Sequence, residues 1–114
     1  MALKSAKKTR ELHLLLPGFS RTIRELNRQI ISPAIHSLTV DDLTPVMEMV
    51  ARARAAYIAE LFNMAKVVAK ALPDQAQVQH LKQLRETYEE LLHCSGELET
   101  AIEKGYIDVQ DPSG

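Results

Sequence analysis

Cysteine, glycine and aromatic residues are all scarce in this chain of 114 residues. It has one cysteine, four glycines, three tyrosines, two phenylalanines and no tryptophan. Because a single cysteine, Cys94, cannot form an internal disulfide, the disulfide-stapled scaffolds of small secreted domains are excluded. The sequence also lacks a phosphate-binding loop, a dinucleotide-binding fingerprint and a His-Glu-x-x-His zinc motif. We therefore predict a non-enzymatic protein with no catalytic residue and no cofactor.

Long hydrophobic runs are missing as well. The longest candidate, residues 51–72, is interrupted by five charged side chains, whereas a membrane span needs about 20 apolar residues. The five are Arg52, Arg54, Glu60, Lys66 and Lys70. The basic N-terminal stretch is followed by only Leu14, Leu15 and Leu16, whereas a secretory signal has roughly 7–15 apolar residues there. We therefore expect a cytoplasmic protein without a membrane partner.

Charge is balanced over the whole chain but separated along it. Fourteen basic and fifteen acidic residues give a net charge of −1, which argues against a strongly basic binder of polyanions. Residues 1–31 carry seven bases and two acids (+5), residues 32–73 are neutral, and residues 74–114 carry three bases and nine acids (−6). Opposite fields select which helices lie side by side. We expect the basic segment to pack along the acidic one, in the same chain or in a partner.

The size and composition are those of one small globular domain. Apolar residues make up 46% of the chain and charged residues 25%, and the length allows a single hydrophobic core. We predict one helical domain over residues 1–105 and a frayed C-terminal tail over residues 106–114.

The segment from residue 45 to residue 72 has the longest helical pattern. Thr44 can cap such a helix, with Pro45 at its first position, where the missing N–H costs nothing. From Val46 onward, apolar residues recur at steps of three and four, and others widen the pattern to a second face. A helix that is apolar on more than one face needs more than one neighbour.

A second long helix is predicted over residues 75–104. Asp74 and Gln77 form a capping-box pattern at its start, and Gly105 is placed to end it in a left-handed conformation. Its apolar spacing is that of a coiled-coil seam. Because the connection is so short, the two helices must form a long antiparallel αα-hairpin.

The N-terminal block is helical in pattern but contains a proline and a glycine. Apolar residues from Leu12 to Ile30 keep a helical phase through Pro17 and Gly18, which predicts either one kinked helix or two short helices. Residues 33–44 are expected to form an irregular connector with room for one helical turn, and no segment has a convincing strand pattern. The predicted fold class is therefore all-α, a small helical bundle built from the hairpin and this block.

Three arginines of the N-terminal block suggest one alternative function. Arg21, Arg24 and Arg28 share one side of the predicted helix, opposite Ile23 and Leu26. A basic face of this kind contacts phosphates, so a nucleic-acid-associated accessory or regulatory protein is the second hypothesis. No helix-turn-helix spacing accompanies the three arginines.

Glu90 and His93 suggest a third function. They match the Glu-x-x-His pattern of di-iron helical bundles, which need two such motifs and two further glutamates. The chain has no second copy of the motif, although a dimer would supply one by symmetry. A metal-dependent helical bundle is therefore the third hypothesis, and a solvated polar face explains the same two residues.

The leading hypothesis comes from apolar surface. Domains near this length bury about 60–70% of the surface of the extended chain, and a hairpin with one further helix buries less. We therefore predict a homodimer, or a helical protein partner on the same face, and a helical protein-interaction module as the function. Such a module is an adaptor, an assembly factor or a small regulator that acts through the surface of its bundle. The predicted interface positions are Val50, Tyr57, Leu61, Met64, Val68, Leu84, Tyr88 and Leu91.

Overall fold

The chain folds into three long helices and two very short strands. The computed structural model describes residues 2–35 and 37–110, with side chains described for residue 10 and for residues 13–35 and 37–110. The helices are α1 (Ala2–Ala34), α2 (Val40–Val68) and α3 (Gln75–Glu103). The strands are β1 (Leu38–Thr39) and β2 (Val109–Gln110). The predicted all-α fold with a long helical hairpin is confirmed, since α2 and α3 pack against each other along their length.

Both ends of α3 form as the sequence predicts. The Asp74 carboxylate accepts a hydrogen bond from the Gln77 backbone N–H at 2.8 Å, and the Gln77 side chain accepts one from the Asp74 N–H at 2.9 Å. This reciprocal pair satisfies two N–H groups that the first turn of a helix leaves without partners. At the other end Gly105 has a φ of +76°, and the Tyr106 N–H donates to the Ala101 carbonyl at 2.8 Å. That geometry is a Schellman cap, which glycine adopts without strain.

The start of α2 differs from the prediction. We expected Thr44 to cap this helix, but the cap is Thr39, five residues earlier. The Asp42 carboxylate accepts hydrogen bonds from the Thr39 backbone N–H at 2.8 Å and from its hydroxyl at 3.1 Å. Pro45 consequently lies inside the helix, where it cannot donate to the Asp41 carbonyl. The two hydrogen bonds to Asp42 hold the earlier start, so most of the expected irregular connector is helical.

The inner face of the hairpin is packed but shallow. The Tyr57 and Tyr88 rings stack with centroids 6.2 Å apart, and Arg54 Nε donates to the Tyr88 hydroxyl at 2.9 Å. The Arg54 guanidinium also lies 5.1 Å from the centroid of that ring. Only four of the described side chains are buried hydrophobics, and none of them is fully enclosed. They are Val50, Met64, Ala101 and Ile107.

Helix α1 is a long arm whose described side chains contact the rest of the molecule near its C-terminal end. It is one continuous helix through Pro17, so the single-helix alternative is correct. The Arg28 guanidinium donates to the Gly105 carbonyl and pairs with the Asp108 carboxylate at 3.2 Å. Asn27 and Ile31 face the end of α3 across a hollow of about 590 Å³. These contacts fix one end of α1 and leave the remainder projecting from the hairpin.

Residues 106–110 make contacts with the rest of the chain, whereas the sequence suggested a frayed tail from residue 106. Ile107 is 4% exposed, which makes it the most buried of the hydrophobic core residues. Leu38 pairs with Val109 in a parallel two-strand ladder, and the Leu38 N–H donates to the Asp108 carbonyl at 3.3 Å. The segment therefore joins the end of α3 to β1 and to the C-terminal part of α1. Residues 111–114 lie outside the described part of the chain.

The molecule is extended and flat. Its dimensions are 65 × 54 × 20 Å and its radius of gyration is 22.5 Å, whereas a compact domain of this length has a radius of gyration of about 13 Å. The accessible surface is 9348 Å², about 3,000 Å² more than a compact monomer of 12.8 kDa exposes. The fold therefore leaves far more surface uncovered than a self-sufficient domain of this size.

Candidate functional site

The arm seam is the largest continuous apolar feature on the surface of α1. We use this name for Leu16, Phe19, Ile23, Leu26 and Ile30, which recur at steps of three and four residues. Each of these side chains is about half exposed or more, from 49% at Leu26 to 68% at Ile30. The spacing is that of a coiled-coil seam, which requires a facing helix. Along residues 13–26 of α1 every side chain is exposed, so this chain does not supply that helix.

The arm touches its own hairpin beside the arm seam. Asn27, Arg28 and Ile31 make the contacts with the end of α3 and the tail. On a helix, Arg28 and Ile31 lie about 80–140° around the axis from Ile23, whereas Asn27 lies at the edge of the seam, four residues after Ile23 and three before Ile30. This attachment leaves Ile23, Leu26 and Ile30 exposed, so the seam stays open to another molecule.

The hairpin has an uncovered apolar surface of its own, which we call the hairpin groove. On α2 it consists of Met47, Ile58, Leu61 and Phe62, and on α3 of Val78 and Leu92. Helical spacing places the α2 members on a stripe next to the one that packs against α3. The exposed fractions range from 42% at Leu92 to 64% at Phe62.

Two shallow hollows lie along the hairpin groove. One has a volume of about 280 Å³ and is bordered by Tyr57, Val78 and Leu81, with Lys82 and Arg85 at its rim. The other, of about 270 Å³, is bordered by Met47, Leu98 and Ile102 among others. Both hollows lie just below the volumes of ligand pockets, about 300–1,000 Å³, and they have room for side chains of another protein. The groove is thus suited to a line of side chains presented by a helix.

The arm seam belongs to a basic part of the chain, and the α3 side of the hairpin groove belongs to an acidic part. The N-terminal 31 residues carry +5, and residues 74–114, which include all of α3, carry −6. Acidic side chains such as Glu86, Glu89 and Glu97 are exposed along α3. Within the chain, Arg28 and Asp108 form the one ion pair between the arm and the rest among the described residues. Among the described side chains, Arg10, Arg21 and Arg24 of α1 therefore form no ion pair with a described acidic residue.

The structure places most of the predicted interface residues inside the hairpin. Val50 and Met64 are buried, and five others are half-buried on the stripes where α2 meets α3. These five are Tyr57, Val68, Leu84, Tyr88 and Leu91. Leu61 alone of the eight lies on open surface, 50% exposed. The sequence pattern found the internal seam of the hairpin, whereas the free apolar stripe lies beside it.

The three arginines of the nucleic-acid hypothesis are not equivalent. Arg21 and Arg24 are exposed on the arm, on the side opposite the arm seam. The Arg28 guanidinium is hydrogen-bonded to the Gly105 carbonyl and paired with Asp108. The structure therefore leaves two of the three arginines free for phosphates and uses the third to attach the arm.

Glu90 and His93 lie on the exposed side of α3. The Glu90 carboxylate accepts a hydrogen bond from the Cys94 thiol at a sulfur–oxygen distance of 3.6 Å. Local desolvation raises the pKa of Cys94 and disfavours its thiolate. The negative charges of Glu90 and Glu97 raise this pKa further. In the described part of the chain, no three His, Cys, Asp or Glu side chains come together so that they could hold a metal ion.

Within residues 2–35 and 37–110, no helix combines the length and the apolar character needed to cross a membrane.

Comparisons with known proteins found no relative of this chain. No protein-family model, curated protein or solved structure matches this chain.

Proposed function

We propose that this chain is a non-enzymatic helical protein-interaction module, an adaptor, assembly factor or small regulator that works as a homodimer or with a helical protein partner. The observation that carries the proposal is the arm, a helix of 33 residues whose apolar seam is left exposed by its own hairpin. Covering apolar surface is worth roughly 25 cal/mol per Å², so a seam and a groove of this extent favour association.

The mode of recognition is a helix in a groove. An amphipathic helix presents anchors at steps of three and four, and Phe19, Ile23 and Leu26 have that arrangement on the arm. Such anchors fill hollows between two helices, and the hairpin groove offers two hollows of side-chain size. Charge on the arm and on α3 then sets orientation and speeds encounter rather than adding much affinity.

We place this activity in the cytoplasm. Cys94 is exposed and makes no disulfide, which suits a compartment where thiols stay reduced. Its raised pKa also protects it from reaction, since the thiolate is the reactive form.

The test compares two neighbouring substitutions on the arm. Phe19→Asp puts a charge into the arm seam, whereas Ser20→Asp adds the same charge one residue away, on the flank of the seam. For an interaction module, the midpoint of thermal unfolding rises with protein concentration in the wild type and in Ser20→Asp, and this dependence is lost in Phe19→Asp. Circular dichroism at concentrations between about 1 and 100 µM measures it.

Native mass spectrometry of the untagged protein from its source cells completes the test. It shows whether the chain is recovered from the cells in a complex with itself or with another protein. A chain that appears alone, and whose melting midpoint is the same at every concentration and in both variants, contradicts the proposal.

A further inference from the structure

We infer that the arm seam of one copy lies in the hairpin groove of a second copy, and that the exchange is reciprocal. This inference rests on the proposed function and names the occupant of its surface. Each chain carries one free apolar helix face and one free apolar groove, and its own attachment at Arg28 keeps the two apart. A two-fold dimer satisfies both surfaces of both chains with one type of contact, because its interface uses the same patches twice.

The dimensions of the two surfaces match. At 1.5 Å per residue, α1 is about 50 Å long and each hairpin helix about 44 Å. The molecule is only 20 Å thick but 65 × 54 Å across, so the arm and the hairpin diverge in one plane. A two-fold axis that bisects the angle between them lays each arm along the hairpin of the other copy.

The uncovered surface is large enough for a stable dimer. Two chains together expose about 6,000 Å² more than two compact monomers of this mass. Obligate homodimers bury about 2,000–5,000 Å² or more in total. Pairing two arm seams with each other would leave Ile58, Leu61 and Phe62 of the hairpin groove uncovered on both chains.

Net charge favours the exchange over an arm-to-arm pair. The exchange brings the segment of charge +5 to a groove formed by the neutral α2 segment and the α3 segment of charge −6. Because Arg21 and Arg24 lie opposite the arm seam, this charge acts as a long-range field rather than through contacts in the groove. An arm-to-arm pair instead brings two segments of charge +5 together. Surfaces of like charge meet more slowly and associate more weakly, whereas surfaces of opposite charge associate more readily.

A complementation experiment with two variants tests the exchange. In the first variant, Phe19→Asp and Ile23→Asp disable the arm and leave the groove intact. In the second, Ile58→Asp and Leu61→Asp disable the groove and leave the arm intact; both residues are about half exposed, so the hairpin has room for the charges. We expect each variant alone to dimerise about 100-fold more weakly than the wild type.

Mixing the two variants gives the decisive result. One functional arm then meets one functional groove, so a heterodimer forms at concentrations where neither variant dimerises alone. Sedimentation equilibrium gives the mass, and labelling one variant with ¹⁵N identifies the heterodimer by native mass spectrometry. Val67→Asp, which places the same charge on α2 at a 75% exposed residue outside the groove, leaves dimerisation unchanged. Circular dichroism verifies that each variant keeps its helical content.

The alternative outcomes are distinct. If the groove variant dimerises like the wild type and the arm variant does not, the arms pair with each other, and the exchange is overturned while the proposed function stands. If the wild type is monomeric but leaves its cells bound to another protein, the second copy is overturned as the occupant. If neither variant changes any association, the proposed function fails together with the inference.

Discussion

The arm and the second helix of the chain have similar lengths and similar apolar spacing, but only the second helix buries its apolar side chains. Helix α2 places Val50 and Met64 against α3 and buries them, whereas the arm leaves Phe19 and Ile23 more than half exposed. The short turn before Asp74 folds α3 back onto α2, so the hairpin finds its partner within the chain. The arm is held at one end by Arg28 and has no such return. Apolar periodicity thus specifies that a helix will pack against another surface. The loop that connects it to the next helix determines which surface that is.

The largest contrast is expected between core and seam substitutions. Met64→Ala removes a buried side chain, so we expect it to lower the free energy of unfolding by about 2–4 kcal/mol. Leu26→Ala, made in the Phe19→Asp background that prevents association, should change it by less than about 0.5 kcal/mol. Urea denaturation followed by circular dichroism measures both values. Equal losses would mean that the arm packs on its own hairpin.

The attachment of the arm gives the next effect. Arg28→Ala removes the hydrogen bond to the Gly105 carbonyl and the ion pair with Asp108. Since the side chains of that pair are more than half exposed, we expect a loss of only about 1 kcal/mol in the free energy of unfolding. Spin labels on the arm and on α3 should show a broader distance distribution. Arg24→Ala is the control, because Arg24 is exposed on the arm, and an equal effect from it would contradict the role of Arg28.

The C-terminal end of α2 offers a smaller, stabilising change. Ala69 has a φ of 53°, in a region that residues other than glycine rarely adopt. Ala69→Gly relieves this strain, although glycine loses more entropy on folding, and we expect a net gain of about 0.5 kcal/mol. Ala56→Gly, at an exposed position within α2, should instead cost about 1 kcal/mol. A loss of stability in Ala69→Gly, measured by urea denaturation, would show that the backbone at Ala69 is not strained.

The smallest effect concerns the chemistry of α3 rather than its stability. The Glu90 carboxylate helps to raise the pKa of Cys94, because its negative charge opposes formation of the thiolate. Glu90→Gln should therefore lower the pKa of Cys94 and raise its rate of alkylation about two- to threefold near pH 8. The pH dependence of alkylation by iodoacetamide measures this shift. Glu86→Gln, which removes a charge farther along the helix, should leave the rate unchanged, and an unchanged rate in Glu90→Gln would contradict the assignment.

The hairpin could be predicted from sequence because its signals are local. The Asp74–Gln77 pair and Gly105 each act within one or two turns of the helix that they start or end. The true start of α2 was missed because Thr44 and Pro45 match the pattern of a helix start as well as Thr39 and Asp42 do. Only the hydrogen bonds to Asp42 decide between them.

The junction and the free surfaces could not be found in the same way. Arg28 and Asp108 are separated by 80 residues, and no local pattern joins them. The alternation of Ile107 and Val109 with polar neighbours was a usable signal for β2, although two residues are very short for a strand. Which of two apolar stripes on α2 faces α3 depends on how the hairpin closes. For that reason, of the eight predicted interface positions, Val50 and Met64 are buried in the hairpin and Leu61 is exposed.

Hydrogen exchange along the arm tests the central claim most directly. If another copy covers the arm seam, the amides of residues 14–30 gain protection as the protein concentration rises, and they lose it in Phe19→Asp but not in Ser20→Asp. The amides at the centre of the hairpin respond much less to the same dilution. If the arm amides show the same protection at every concentration and in both variants, the arm does not depend on a second molecule, and the account is wrong.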